Sequence, residues 1–155
     1  MPTNVTTADV WRKVEKHSFA VLGFVTARGE PRTAGIRYAV HDRQLYIVTG
    51  HDSWKIRHII SNPYVSLTVT IPKRIPFVPW LQIPAATISF QGEATVHAID
   101  DVPPEIPRKL LGGLEISPEQ RKTICVIRIR PAGRFVTYGV GVPLLLGMST
   151  STRKM

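Results

Sequence analysis

Cysteine is almost absent from this sequence. Cys125 stands alone, so no disulfide forms within the chain, and its place in an apolar strand pattern marks it as core. No apolar run approaches the roughly 20 residues that cross a bilayer as a helix. The opening MPTNVTTADVWRK lacks the apolar core of a signal peptide, and the expectation is a cytoplasmic protein. Acid is scarce: 11 Asp and Glu stand against 20 Lys and Arg, giving a net charge of +9. Such a balance draws anions, whether nucleic acid, acidic membrane surfaces or phosphorylated small molecules. The cations are dispersed, and no recognition helix, zinc-finger spacing or aromatic RNA-binding box accompanies them, so no nucleic-acid partner is expected. The five histidines (17, 41, 51, 58 and 97) show no His-x-x-x-His spacing, and no metal site is expected. No Ser-His-Asp or Cys-His arrangement can be assembled, so no catalytic residue is named.

What is present is strand. A short helix opens the chain at Thr6 to Lys16, with capping-box spacing between Thr6 and Asp9. Phe19–Ala27, Arg32–Val40 and Leu45–Thr49 read as an antiparallel meander of three strands joined by tight turns. A helix follows from Ser53 to about Ser61, with Ile56, Ile59 and Ile60 as its apolar stripe and Asn62-Pro63 as its stop. Tyr64–Ile71 is a fourth strand. The segment PKRIPFVPWLQIP, residues 72–84, carries four prolines and reads as an apolar loop packed on something, such as a second subunit. Thr87–Ala98 is a fifth strand, with Gly92 marking a bulge or a close approach. Pro103–Leu111 is a short helix, and Lys122–Arg130 and Arg134–Val140 are the last two strands. The expected fold is mainly β, a small barrel with short helices. The whole chain, 1–155, is read as one domain with an N-terminal helix (1–17), a Pro-rich insertion (72–85) and a C-terminal tail (141–155).

The stretch VTGHDSWKIR, residues 48–57, poses a physical problem. Lys55 and Arg57 sit in the first turns of a helix, at its positive end. One reading is plain: Asp52 or Ser53 is the N-cap and the cations are solvated. The other is a ligand. Unpaired N–H groups at a helix start attract phosphate, a phosphate monoester would offset the cost of the cations, and Thr49 and Ser53 could donate hydroxyls to it. Asp52 argues against an anion unless its side chain turns away. His51 is a further candidate contact in this loop.

Residues Leu45 to Val69, LYIVTGHDSWKIRHIISNPYVSLTV, resemble the core of the pyridoxamine 5′-phosphate oxidase-like split β-barrel flavoproteins. Thr49, Ser53, Lys55, Asn62, Pro63, Val65, Ser66 and Leu67 match the order and spacing of that family. FAVLGFVTARGEPRTAGIRYAV is similar to its first hairpin, and Ile88–Ala94 to its later strand with a central glycine. The resemblance implies a split β-barrel of the FMN-binding type and a homodimer with flavin mononucleotide in grooves between the subunits. It implies cofactor contacts at Ile36, Arg37, Tyr38, Val48, Thr49, Ser53, Trp54, Lys55 and Arg57, with the phosphate near Thr49, Ser53 and Lys55. Trp54 stands where the oxidases often carry a second cation, and Arg57 lies one turn on. The chain ends VTYGVGVPLLLGMSTSTRKM, without the Arg and His that grip the substrate phosphate in true pyridoxamine phosphate oxidases. The expected function is therefore an FMN-dependent oxidoreductase acting on a small molecule. The alternatives are a reductase using the deazaflavin coenzyme F420 and a non-catalytic protein that binds flavin, haem or an apolar ligand.

Overall fold

The structure is a computed structural model that describes residues 5–75, 77–140 and 153–154. Helix α1 (Thr7–Lys16) begins where the sequence places it. The Thr6 hydroxyl accepts from the Asp9 N–H at 3.2 Å, and the Asp9 carboxylate accepts from the Thr6 N–H at 3.0 Å. The helix buries Val10, Trp11 and Val14. Strands β1 (Phe19–Val25) and β2 (Pro31–Arg37) form a hairpin whose turn contains Gly29 at φ +79°. The chain then breaks at Tyr38. Strand β3 (Ala39–His41) pairs with β4 (Gln44–Gly50) across Asp42 and Arg43, both at positive φ, the geometry that closes a two-residue hairpin.

Helix α2 (Trp54–Ser61) leads into the long strands β5 (Tyr64–Ile75) and β6 (Val78–Ala98). A 3₁₀ turn (Ile99–Asp101), α3 (Glu105–Leu111) and α4 (Pro118–Thr123) then cross to β7 (Ile124–Tyr138), and a short β8 (Arg153–Lys154) pairs with its end. The order along the sheet is β2-β1-β5-β6-β7-β4-β3, antiparallel throughout. Strands β2 and β3 are separated in sequence by Tyr38 alone, yet they end opposite sides of that order. The sheet therefore curls back on itself into a half-barrel.

Inward-facing residues of the curled sheet fill one main core. Ala20, Leu22 and Phe24 of β1 meet Leu67 and Val69 of β5, Ile88 and Phe90 of β6, and Ile127 and Ile129 of β7, with Val10 and Val14 of α1 covering the open side. A smaller cluster gathers Ala39, Tyr46 and Val126 with Ile99, Val102 and Ile106 under α3. Strand β4 thus has both faces covered, which explains its near-continuous apolar run, Leu45-Tyr46-Ile47 all being buried.

Several expectations are corrected. The three-strand meander is not one: β2 pairs with β1 and β3 with β4, because the bend at Tyr38 sends β3 to the far edge. The proline-rich segment is not a loop but the end of the β5–β6 hairpin, paired from Pro72↔Pro84 to Ile75↔Val78. Among the described residues its neighbours stop short, β1 meeting β5 only through Val69 and β7 meeting β6 only from Thr87, so proline there removes no bond to the described neighbouring strands. The last two strands are one, β7 running through Pro131-Ala132-Gly133. Lys122 and Thr123, expected to open a strand, instead end α4; the Ser117/Gln120 capping box and Pro118 at its first turn are the signal. Ile60 is exposed, so the stripe of α2 is Ile56 and Ile59 alone. The tail Val142–Leu146 lies outside the described residues.

Candidate functional site

Helix α2 starts without the usual cap. Ser53 is its N-cap residue but accepts no N–H from the first turn, and no acidic residue lies in that turn. The Ser53 side chain instead accepts a hydrogen bond from the Thr49 hydroxyl at 3.2 Å. The Ser53 N–H is spent on the Gly50 carbonyl at 3.0 Å and the His51 N–H on the Thr123 carbonyl at 2.8 Å. These two bonds pin the loop between β4 and α2. Of the first N–H groups of the helix, which have no i→i−4 partner by geometry, that of Ile56 is spent on the Ser53 carbonyl at 3.1 Å. Asp52, the residue that argued against an anion, is turned fully to solvent, 3.8 Å from His51 Nδ1.

Beside this helix start lies a cavity of about 270 Å³. Gly35, Ile36 and Arg37 of β2 form one wall, Ile47, Val48 and Thr49 of β4 a second, and Lys55 of α2 reaches it from the helix start. Leu110 and Leu111 of α3 complete it. Residues from two ends of the sheet meet here because the barrel curls. Ile36 keeps its side chain in the core, so along β2 backbone and the outward-facing Gly35 and Arg37 address the cavity.

Of the residues expected from sequence, Ile36, Arg37, Val48, Thr49 and Lys55 come together, and Ser53 joins them through Thr49. Three do not. Tyr38 is buried, its hydroxyl donating to the Val14 carbonyl at 2.7 Å, and burial pushes its phenol well above the ordinary range. Trp54 faces a different hollow with Arg28, Arg32 and His58, its ring centroid 5.1 Å from that of Phe24. Arg57 is exposed and does not line the cavity. His51 lines a third hollow with His97 and Lys122.

Sequence reasoning missed Gly35, Ile47, Leu110 and Leu111. Ile47 reads as core, and the leucines carry no signal of their own. They arrive because α3 is anchored to the β3–β4 hairpin by Ile106 and by an ion pair between His41 and Glu105. Cys125 is core as expected; its thiol donates to the Thr49 carbonyl at 3.8 Å, and burial raises its pKa. Among the described residues no group of three His, Cys, Asp or Glu is placed to hold a metal ion.

A family model described as pyridoxamine 5′-phosphate oxidase matches residues 7–131, most of the chain and every strand that builds the cavity. The chain belongs to the pyridoxamine 5′-phosphate oxidase family. Its curled antiparallel sheet is the split-barrel fold of that family's solved structures. A Listeria innocua protein provisionally named as a pyridoxamine 5′-phosphate oxidase is 18% identical with a TM-score of 0.63, covering 81% of this chain and 93% of its own. An F420 reductase is 19% identical with a TM-score of 0.55, covering 76% of this chain and 88% of its own. A FAD-binding protein of Mesorhizobium loti is 14% identical with a TM-score of 0.58, covering 83% and 91%. These likenesses speak to fold. No curated protein matches the sequence.

Proposed function

We propose that this member of the pyridoxamine 5′-phosphate oxidase family is a flavin-dependent oxidoreductase that binds FMN at the start of α2. One observation carries the reading: an uncapped helix start, free of acid in its first turn and bearing Lys55, opens onto a cavity walled by the β2 backbone. The phosphate monoester sits against the first N–H groups of α2, with Lys55 as a charge-assisted donor and Thr49 and Ser53 as hydroxyl donors. Their mutual hydrogen bond sets the two hydroxyls side by side, and in this reading both would turn to phosphate oxygens instead. The Gly35–Arg37 backbone lies alongside the ring, and the apolar leucines of α3 exclude water from it.

The cavity also supports a dimer. At about 270 Å³ it falls below the roughly 300–1,000 Å³ of complete small-molecule sites. A single chain supplies the phosphate end and the walls from β2, β4 and α3; in this reading a second copy supplies the rest. Flavin, when bound, brings hydride chemistry, and the protein contributes binding, orientation and electrostatics. Arg37 lines the cavity, where its guanidinium would favour negative charge on a bound flavin. No protein nucleophile is needed for that chemistry. We place this activity in the cytoplasm, acting on a small molecule.

Titrating the purified protein with FMN tests the proposal. Saturable binding that quenches flavin fluorescence, followed by bleaching of the bound flavin on adding a reduced nicotinamide, is the expected result. The second reading is coenzyme F420, whose acidic tail suits a chain of net charge +9. Competition between the two cofactors decides, and displacement of FMN at a lower F420 concentration would assign the deazaflavin. Failure of both to bind would remove the enzyme reading.

A further inference from the structure

The distal end of the β5–β6 hairpin has no part in the cavity and is unlike the rest of the surface. Beyond Ile71↔Ala86 the two arms continue as a bare two-stranded ribbon, paired Pro72↔Pro84, Lys73↔Ile83 and Arg74↔Gln82 before closing at Ile75↔Val78. At its tip Phe77 is 92% exposed and Trp80 81% exposed, the most exposed of the large apolar side chains in the described structure. Between Tyr64 and Gly92 the sequence contains two cations, Lys73 and Arg74, and no Asp or Glu. The chain thus projects a narrow arm that ends in aromatic and apolar residues, has positive charge at its neck, and carries no acid along its length.

We propose that this tip docks on the surface of an anionic lipid bilayer, with Phe77 and Trp80 entering the headgroup region while Lys73 and Arg74 supply attraction to acidic lipids. Tryptophan and phenylalanine settle at the membrane–water boundary, where a partly apolar environment accepts the ring and water remains near. Apolar insertion alone gives weak, reversible binding, and neighbouring cations add to it on acidic membranes. Proline at 72, 76, 79 and 84 limits pairing of the ribbon edges with other strands.

A second copy of the chain is the competing occupant, and the area of the tip by itself is too small to hold one unaided. Two aromatic side chains bury about 150–250 Å² each, roughly half of the ~800 Å² per partner in a standard stable interface. A projecting tip also needs a matching recess in a protein, whereas a bilayer yields to it.

Co-sedimentation with vesicles tests the proposal, using phosphatidylcholine alone against phosphatidylcholine mixed with phosphatidylglycerol. The full chain is expected to pellet with the acidic vesicles, to stay in solution with the neutral ones, and to be released by salt. The double variant Phe77→Ser, Trp80→Ser is expected to bind at least tenfold more weakly. Lys73→Ser, Arg74→Ser is expected to lose roughly fivefold per charge. Far-UV circular dichroism and the melting temperature check that both variants fold. Three outcomes would overturn the proposal: no binding of the native chain to either vesicle; equal binding by the aromatic double variant, which would reduce the effect to net charge; or indifference to vesicles with loss of self-association in that variant, which would assign the tip to a second copy.

Discussion

Tyr38 shows how one residue can stand in a site motif and serve the core instead. Alternation along β2 puts Ile36 and Tyr38 on one face and Gly35 and Arg37 on the other, and the structure keeps that division. The face with Tyr38 turned out to be the inner one, so the phenol reaches α1 and donates to the Val14 carbonyl at 2.7 Å. That bond is made inside the barrel. Tyr38→Phe should therefore destabilise the protein by about 1–2 kcal/mol, read as a lower urea midpoint with an unchanged m-value, and should leave cofactor affinity intact. Lys55 is the opposite case. Its charge at a positive helix end was visible in the sequence as an anomaly, and the structure sets it at the cavity. Trp54 and Arg57, its neighbours along the same helix, point elsewhere, because successive helical positions are about 100° apart and one face cannot hold all of them.

At the scale of elements, the strands with strict alternation or long apolar runs were legible, and their partners were not. Pairing depends on where Tyr38 bends the chain, and no local preference of a tyrosine announces that bend. The helix α4 was legible through Ser117, Pro118 and Gln120 and was overlooked because Lys122–Arg130 reads as strand. Gly92 was legible as a close approach without its partner. A Cβ at that position would stand 2.7 Å from Ile129 Cγ2 and 3.0 Å from the Arg130 carbonyl oxygen, on the strand paired with it. The backbone of β7 cannot move aside without disturbing the core on its other side. Gly92→Ala should cost about 1–3 kcal/mol. Gly50→Ala, where a Cβ meets nothing within 4 Å, should stay within about 0.5 kcal/mol. Thermal denaturation of the pair separates overpacking at one site from the general effect of replacing glycine.

For the molecule as a whole, the curl of the sheet makes the site. Strands β2 and β4 are far apart along the sheet order, and closure brings Gly35–Arg37 and Ile47–Thr49 to one cavity, with α3 laid across it. Sequence could supply the loop before α2, which is local, and the family pattern that runs with it. It could not supply Leu110 and Leu111, whose place depends on how a crossover packs on a distant hairpin. The same closure leaves one arm of the sheet projecting and without acid, on a chain whose net charge is +9.

The central claim is that a phosphate belongs at the start of α2, and riboflavin tests it because it is FMN without the phosphate. The dissociation constants of both ligands, measured for the native protein and for Lys55→Ala, give the phosphate's contribution directly. The account predicts that the native protein prefers FMN to riboflavin by at least tenfold, as a charge-assisted contact worth ~1.4 kcal/mol or more requires, and that Lys55→Ala removes most of that preference while riboflavin binding barely changes. Equal affinity for the two ligands in the native protein, or an FMN preference untouched by Lys55→Ala, would contradict it.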